Sequence, residues 1–568
     1  MASPASISAL RFAQPFGGGS YRRSHDFARA GNCLKRIAQG GPPQSGAPRE
    51  RIGRATVAII GGGFSGAAVA YHLARELMPA NIVVFEPRPS LGAGLAYGDA
   101  DPAHRVNVPA ARMSLLPEDS EHFARWLRAS GAVDDDPEAR HGGDVFPRRR
   151  MFGLYMAEML QPPLARGAIR HVRERAASVR RDCGSWRILS SSGAERAADV
   201  VVIATTHPSP TPPAELADVG HHAAFIPDPL ADSALSGVPA EARVLIVGSG
   251  LTGADIVATL DRQGHRGSIL MISRRGLRSL AQAPRPFPPE GDFVSAPART
   301  ASALLRAIRA AAKQAEAEGR TWHPVLDAVR AQGQQIWRAL TPDARRRVVR
   351  RLRPFWDVHR FRSAPQIDAI LDRKIANGSL QLRRCRLGAA RSAGDEIAIA
   401  LQYTRGSTSV ETFGAVILAT GPGHRDVLRT QTYLASLSNQ GYVTLDDVGL
   451  GLATSREGRA VGKDGRIEPT LFIAGPLARG TFGELMGLPQ VSEYAAFVAR
   501  QVAEAERRPQ ASQAYRLTRL VARWQPVVFS ARDSPFRSRR PISASGTSAR
   551  NCRPRRWRRI SPGPDRRA

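Results

Sequence analysis

The feature that most constrains this chain is a strand, glycine turn and helix in succession, which occurs twice. Thr56-Val-Ala-Ile-Ile60 is an apolar run of strand length that enters Gly61-Gly-Gly63-Phe64-Ser65-Gly66, and a helical stretch follows from Ala67 to Leu77. Arg243-Val-Leu-Ile-Val247 likewise enters Gly248-Ser-Gly250-Leu-Thr-Gly253, followed by a helical stretch from Ala254 to Arg262. Two further apolar runs correspond, Asp199 to Thr205 and Ala415 to Gly421. Two copies of one such unit predict an α/β chain with two Rossmann-like dinucleotide-binding domains.

A strand that runs into such a turn brings backbone N–H groups and a helix N-terminus to one point, and the partial positive charge there favours a pyrophosphate. Gly61 permits the tight turn, Gly63 lets backbone approach phosphate, and Gly66 lets helix and strand pack closely. The second strand of the first unit, Asn81 to Phe85, ends at Glu86, twenty residues beyond Gly66. A carboxylate there can accept hydrogen bonds from both ribose hydroxyls of an unphosphorylated adenosine, and the first turn is read as an FAD site. In the second unit the corresponding strand, Ser268 to Ile272, ends in Ser273-Arg274-Arg275 without an acid. Two guanidiniums there suit a ribose 2′-phosphate, so NADPH is expected rather than NADH.

The net charge of +31 raises the question of a nucleic-acid or membrane partner. Its distribution argues against one. Residues 1–54 carry nine Lys or Arg against two acids, and residues 509–568 carry fifteen Arg against two. Most of the excess lies in these ends, and no aromatic-lined or groove-reading motif accompanies it. Both ends are read as disordered, a leader over 1–54 and a basic tail over 509–568. Residues 55–238 and 376–508 are assigned to a divided FAD-binding domain, and 239–375 to an NADPH-binding domain. The latter carries a helical insertion with expected helices at Ala301 to Ala317, Val325 to Leu340 and Pro342 to Leu352. Cys33, Cys183, Cys385 and Cys552 are far apart in sequence, so neither a redox dithiol nor a metal-ligand spacing is available. That usage fits a reducing, cytoplasmic setting. Ala55 to Ala74 holds no Asp, Glu, Lys or Arg and is long enough to span a bilayer, but its glycines divide it into strand and helix, so no membrane span is expected.

Further motifs lie between the two units and beyond the second. They are Leu91-Gly-Ala-Gly-Leu-Ala-Tyr-Gly98, His104-Arg-Val-Asn-Val-Pro109, Met113-Ser114, Phe146-Pro-Arg-Arg-Arg-Met-Phe-Gly-Leu-Tyr155, Phe355-Trp-Asp-Val-His-Arg-Phe-Arg362 and Gly475-Pro-Leu-Ala-Arg-Gly-Thr481. With the paired glycine turns, they make residues 55 to 505 resemble the FAD/NAD(P)-binding flavoproteins that include FAD-dependent urate hydroxylase-like and aspartate N-monooxygenase-like proteins. Two places depart from the wider pattern. Ala204-Thr205-Thr206 stands where many relatives have Ala-Thr-Gly, and Gly475-Pro476 where the broader superfamily has Gly-Asp. The resemblance implies that Gly61, Gly63, Phe64, Ser65, Gly66 and Glu86 hold the adenosine half of FAD. It places Asn107, Met113, Ser114, Thr205 and Gly475 along the remainder, with a last helix from about Pro489 to Ala505. Gly248, Gly250, Gly253, Arg274, Arg275 and Gly421 are assigned to NADPH.

The resemblance further implies a monooxygenase that takes hydride from NADPH and hydroxylates a small molecule with O2 through a flavin hydroperoxide. That chemistry needs a dry pocket but no nucleophilic side chain. A reductase passing electrons to a quinone or a protein, and a flavin-binding protein without turnover, are the rival readings. Asn107, His359 and Arg360 are the candidate catalytic residues. Asp357, His359, Arg360 and Arg362 form either a substrate-carboxylate or NADPH contact, or the solvated end of an amphipathic helix.

Overall fold

The computed structural model describes residues 55–507, except 77–79, 99–100, 232 and 404–405 and the side chains of residues 425 and 507. The expected leader and tail lie outside the described residues.

Val57 to Ile60 are at most 2% exposed, because this run is covered on both faces in a parallel sheet. It forms β1 (Ala55–Ile60), which passes into α1 (Phe64–Arg75) and then β2 (Ala80–Phe85). After α2 (Arg149–Ala165) comes β3 (Ile169–Val172), then an antiparallel three-stranded arm of β4 (Ala176–Asp182), β5 (Ser185–Ser190) and β6 (Glu195–Ala198). The crossover strand β7 (Val200–Ile203) returns beside β1, with Val57 opposite Val200 and Ile60 opposite Ile203.

The chain then builds a second sheet from β8 (Phe225–Ile226), β9 (Val244–Val247), α3 (Leu251–Arg262) and β10 (Ile269–Ser273). A helical insertion follows, comprising α4 (Ala301–Ala317), α5 (His323–Ala331), α6 (Gly333–Ala339), α7 (Pro342–Arg347), α8 (Arg353–Arg360) and α9 (Pro365–Ala376). Strands β11 (Leu380–Ala393), β12 (Glu396–Tyr403), β13 (Thr408–Phe413) and β14 (Ala415–Leu418) complete the second sheet, in the order β8-β14-β9-β10-β11-β12-β13. The first sheet closes last, with β15 (Arg459–Val461) and β16 (Ile467–Ile473), in the order β15-β16-β7-β1-β2-β3, and α10 (Gln490–Arg507) follows.

One sheet is nested within the other along the chain, and the strand boundaries differ from those of the sequence reading. The strands of the second sheet run from Phe225 to Leu418, not within 239–375. The reason is pairing: β11 lies parallel to β10, with Ile269 opposite Leu380, and β14 lies parallel to β9, with Val244 opposite Ala415. The segment 376–418 therefore belongs to the second domain, and the first resumes after it. Two expected helices are also divided. Val325 to Leu340 breaks between α5 and α6 at Gln332, beside Gly333, where an added Cβ would meet Glu484 Cβ at 3.2 Å. The helix expected over Pro342 to Leu352 turns into a π-turn at Val348–Leu352, a form that recurs at functional sites.

The two domains are fastened by polar contacts across their boundary. Arg149 of α2 pairs with Asp255 of α3 at 2.8 Å, Arg262 with Asp101 at 2.7 Å, and His104 Nε2 meets Thr259 Oγ1 at 3.0 Å. Two segments that carry the family resemblance, 104–109 and 146–155, thus supply side chains to the seam between domains.

Candidate dinucleotide sites and the cleft between domains

The two glycine turns have the same internal construction. Gly61 has φ +98°, and an added Cβ would meet Ala204 O at 2.8 Å; Gly248 has φ +123°, and its Cβ would meet Ala419 O at 2.2 Å. A Cβ on Gly66 would strike Gly61 O at 1.9 Å, and one on Gly253 would strike Gly248 O at 2.6 Å. These four positions are glycine because the helix and crossover strand press onto the turn, and because φ is positive at Gly61 and Gly248. The middle glycines differ. Gly63 caps α1, and its Cβ would meet only Gly94 Cα at 3.5 Å; Gly250 caps α3 with nothing within 4 Å. Protein packing therefore leaves the space in front of both helix N-termini open. An anion approaching the backbone there is the physical use for glycine at these two positions.

Glu86 stands at the tip of β2, 4% exposed. One carboxylate oxygen accepts the Gly62 N–H at 3.0 Å, and the other accepts the Arg88 N–H at 3.1 Å and Arg88 Nη1 at 3.2 Å. These bonds fix its position against the turn and leave an acceptor site on the oxygen bonded to Gly62 for a ribose hydroxyl. Phe64 and Ser65 open α1, Phe64 packing its ring 5.6 Å from Phe152. Gly475, with φ +71°, closes on Ser65, since an added Cβ would lie 2.4 Å from Ser65 Oγ. The first turn and the end of β16 thus meet, although Ser65 and Gly475 are 410 residues apart in numbering.

Met113 and Ser114 are 2% and 4% exposed. The next residue shows what holds them. Leu115 O accepts His72 Nε2 at 3.1 Å and Ser492 Oγ at 3.0 Å, and Leu115 N–H donates to the Tyr155 hydroxyl at 3.2 Å. Burial keeps the His72 ring neutral and pushes Tyr155 up to about 12, so both act as fixed hydrogen-bonding groups. Thr205 is bound by its hydroxyl to Gln431 and Tyr433, at 2.8 and 2.6 Å. Asn107 lies on the domain seam, where Gln282 Nε2 donates to its carbonyl at 3.0 Å and to Ser363 O at 3.1 Å.

In the second domain Gly421, with φ +79°, follows β14 beside the turn at Gly248. Arg274 and Arg275 are exposed at the tip of β10 and have no carboxylate partner among the described residues, and the Arg275 guanidinium lies 4.9 Å from the Phe355 ring centroid. Two groups join them that sequence reasoning did not assign. Ser273 Oγ is buried without a hydrogen-bond partner, and Arg384 is opposite Ser273 in the register of β10 and β11. Ser273 was visible as the neighbour of the arginine pair, whereas Arg384 comes from a strand that only the sheet brings alongside.

The Asp357–Arg362 cluster is neither a solvated helix end nor one site. His359 Nδ1 donates to Phe355 O of its own helix at 2.7 Å, and its ring meets Trp322, at the start of α5, edge-on. Arg360 is buried and pairs with Glu484. Arg362 pairs with Asp327 at 2.7 Å and lines a narrow cleft of about 20 Å³ with Pro109, Arg112, Asp144, Gln282 and Arg285. Asp327 is held below the usual carboxylate range because Arg362 and Arg112 outweigh its burial. Burial raises Asp144.

Residues 58–208 match the family model described as FAD-NAD(P)-binding. No curated protein sequence matches the chain. Among solved structures, ornithine hydroxylase from Pseudomonas aeruginosa in its reduced form aligns at 15% identity and TM-score 0.55, covering 80% of this chain and 100% of its own. L-lysine 6-monooxygenase from Pseudomonas syringae aligns at 17% identity and TM-score 0.53, covering 80% and 99%. The ornithine N-hydroxylase of Kutzneria sp. 744, with reduced FAD, NADP+ and L-ornithine, aligns at 16% identity and TM-score 0.51, again covering 80% and 99%. The chain therefore matches the FAD-NAD(P)-binding family model over 58–208 and shares its fold with these three enzymes.

Proposed function

We propose that the protein is an FAD-dependent oxidoreductase that takes hydride from NADPH and hydroxylates a small molecule with O2. The observation that carries this reading is the contrast between two turns of equal construction: a buried acid beside the first, and unpaired arginines beside the second. Gly61, Gly63, Ser65, Gly66 and Glu86 would hold the adenosine and pyrophosphate of FAD, with Met113, Ser114, Thr205 and Gly475 along the rest. Gly248, Gly250 and Gly253 would hold the NADPH pyrophosphate, with Ser273, Arg274, Arg275 and Arg384 at its 2′-phosphate. Bound FAD supplies the redox and oxygen chemistry.

The chain's own groups bind, orient and shield. His72, Tyr155 and Ser492 fix the backbone at Leu115, and Gln282 ties Asn107 to Ser363 across the seam. The cleft beside Asn107, with Arg285 and Asp144 in its wall, is the substrate entrance in this reading. Hydroxylation is favoured over electron transfer to a disulfide because Cys183, in the turn between β4 and β5, and Cys385, in β11, are the described cysteines and belong to separate parts of the fold. The activities that the structural neighbours are named for, ornithine hydroxylase and lysine 6-monooxygenase, point the same way. No helix among the described residues is long and apolar enough to cross a membrane.

The test is anaerobic mixing of the purified yellow protein with NADPH or NADH, followed by admission of oxygen, with the visible spectrum recorded. Faster bleaching by NADPH, then recovery of colour on oxygen, is the expected result. A yellow protein that neither nucleotide bleaches overturns the oxidoreductase reading while leaving FAD binding intact. Rapid transfer of electrons from NADPH to a quinone, with no oxygen consumed, replaces hydroxylation by reductase activity.

A further inference from the structure

Four guanidiniums, those of Arg330, Arg353, Arg360 and Arg479, gather around the carboxylates of Asp357 and Glu484, where α5 and α8 meet the segment before α10. Most of their bonding is satisfied. Glu484 accepts Arg360 Nε on one oxygen and Trp356 Nε1, at 3.3 Å, on the other. Arg330 donates to Leu488 O and, at 3.1 Å, to Gln490 Oε1. Arg479 Nε reaches Gly483 O at 3.3 Å, and Arg353 Nε reaches Asp357 Oδ2 at 3.2 Å.

Three donors remain without a partner: Arg360 Nη2, Arg479 Nη1 and His424 Nδ1. The histidine's role follows from its other nitrogen. His424 Nε2 lies 2.7 Å from Arg353 Nη2, and a guanidinium can only donate, so Nε2 accepts and the ring proton sits on Nδ1. Burial, with His207, Arg353 and Arg479 nearby, pulls this ring to about 2, so it is neutral. The Arg360 side chain is 2% exposed and Arg479 is 4% exposed, so bulk water does not serve these atoms. The charges around Arg479 do not balance either: with Arg353 and Arg360 it makes three cations, which face two anions, Glu484 and Asp357. Burial and the charge of Arg360 bring Arg330 down to about 9. Buried donors and buried charge both call for an acceptor.

We propose that Arg360, Arg479 and His424 form a buried site for the carboxylate group of a small organic acid. A carboxylate offers planar oxygens that match guanidinium forks, and its charge offsets part of the surplus. Asp357 Oδ1, the acceptor in the cluster that also lacks a partner, takes a hydroxyl on the same ligand, so the class is a small hydroxy acid. Arg360 and Arg362 divide between two carboxylates: Arg362, which lines the cleft, pairs with Asp327, whereas Arg360 pairs with Glu484.

The test titrates the full FAD-loaded chain with sodium lactate over the millimolar range, with ionic strength held constant by sodium chloride, and follows melting temperature and heat of binding. The expected result is a saturable rise in melting temperature with lactate, a smaller one with propionate, and none with chloride. Arg479→Met abolishes the response and, without lactate, melts above the wild type because surplus buried charge is gone. Should that variant not fold, His424→Phe, which removes one donor and no charge, weakens binding about tenfold. No saturable response to either acid shows that the orphaned atoms are merely hydrated, and overturns the site. A wild-type response in Arg479→Met also overturns it. Neither readout involves NADPH or oxygen, so failure here is separable from failure of the oxidoreductase reading.

Discussion

A glycine can be required by the fold or by a ligand, and the two turns hold both kinds. Gly61 and Gly66 are blocked by backbone carbonyls of the protein itself, so a side chain at either disturbs the sheet as well as the cofactor site. Gly63 is different, since its added Cβ makes ordinary contact with Gly94 and nothing else. Gly63→Val is therefore expected to purify folded, with a melting temperature near that of the FAD-free wild type, yet without yellow colour. Full retention of FAD by that variant refutes the assignment of the first turn. The distinction was not legible in the sequence, where Gly61, Gly63 and Gly66 read alike as one fingerprint. The buried pair of Arg360 with Glu484 was hidden for a similar reason: its partners are 124 residues apart, and no local pattern announces such a pair.

Among the elements, β10 carries the most specific chemistry. Its tip offers Ser273, Arg274 and Arg275, and its neighbour β11 adds Arg384. Replacing Arg274 and Arg275 together by Ala is expected to raise KM for NADPH by about tenfold or more, the loss of hydrogen bonds to a charged group. KM for NADH should move far less; equal rises for both nucleotides remove the phosphate assignment. Short apolar runs that enter glycine turns could be placed from sequence because strand, turn and helix are contiguous there. The β11–β13 arm could not be assigned to its sheet, because parallel pairing of Leu380 with Ile269 crosses the whole helical insertion. The break between α5 and α6 had a tertiary cause too, Gly333 lying against Glu484 of the first domain.

At the scale of the molecule, the seam between domains contains histidines that burial keeps uncharged. His207 is pulled to about 4 and His424 to about 2, from an ordinary value of 6.5, burial being the first cause in both. Their rings meet at 4.2 Å, and His207 Nε2 donates to Leu450 O at 2.8 Å. Since the folded values lie below the unfolded one, the unfolded chain takes up protons first as pH falls. Their contribution is intact above pH 6.5 and drains below it, at about 1.4 kcal/mol per pH unit for each ring. Melting temperature is expected to fall steadily from pH 6.5 towards about 4, and more gently in His207→Gln/His424→Asn. An unchanged slope in that double variant assigns the acid sensitivity to other groups.

The nesting of one sheet inside the other sets an order for synthesis. On the ribosome, β14 emerges while the first sheet still lacks β16, which is opposite β7 in register, Leu471 against Val201. The inner domain has every strand of its sheet by Leu418, whereas the outer one waits for Ile473, and Gly475 reaches Ser65 only then. A nascent chain halted between these points holds every strand of the inner sheet beside an unfinished outer one. In the proposed reading, retention of FAD is therefore expected only once the chain has been made as far as Gly475.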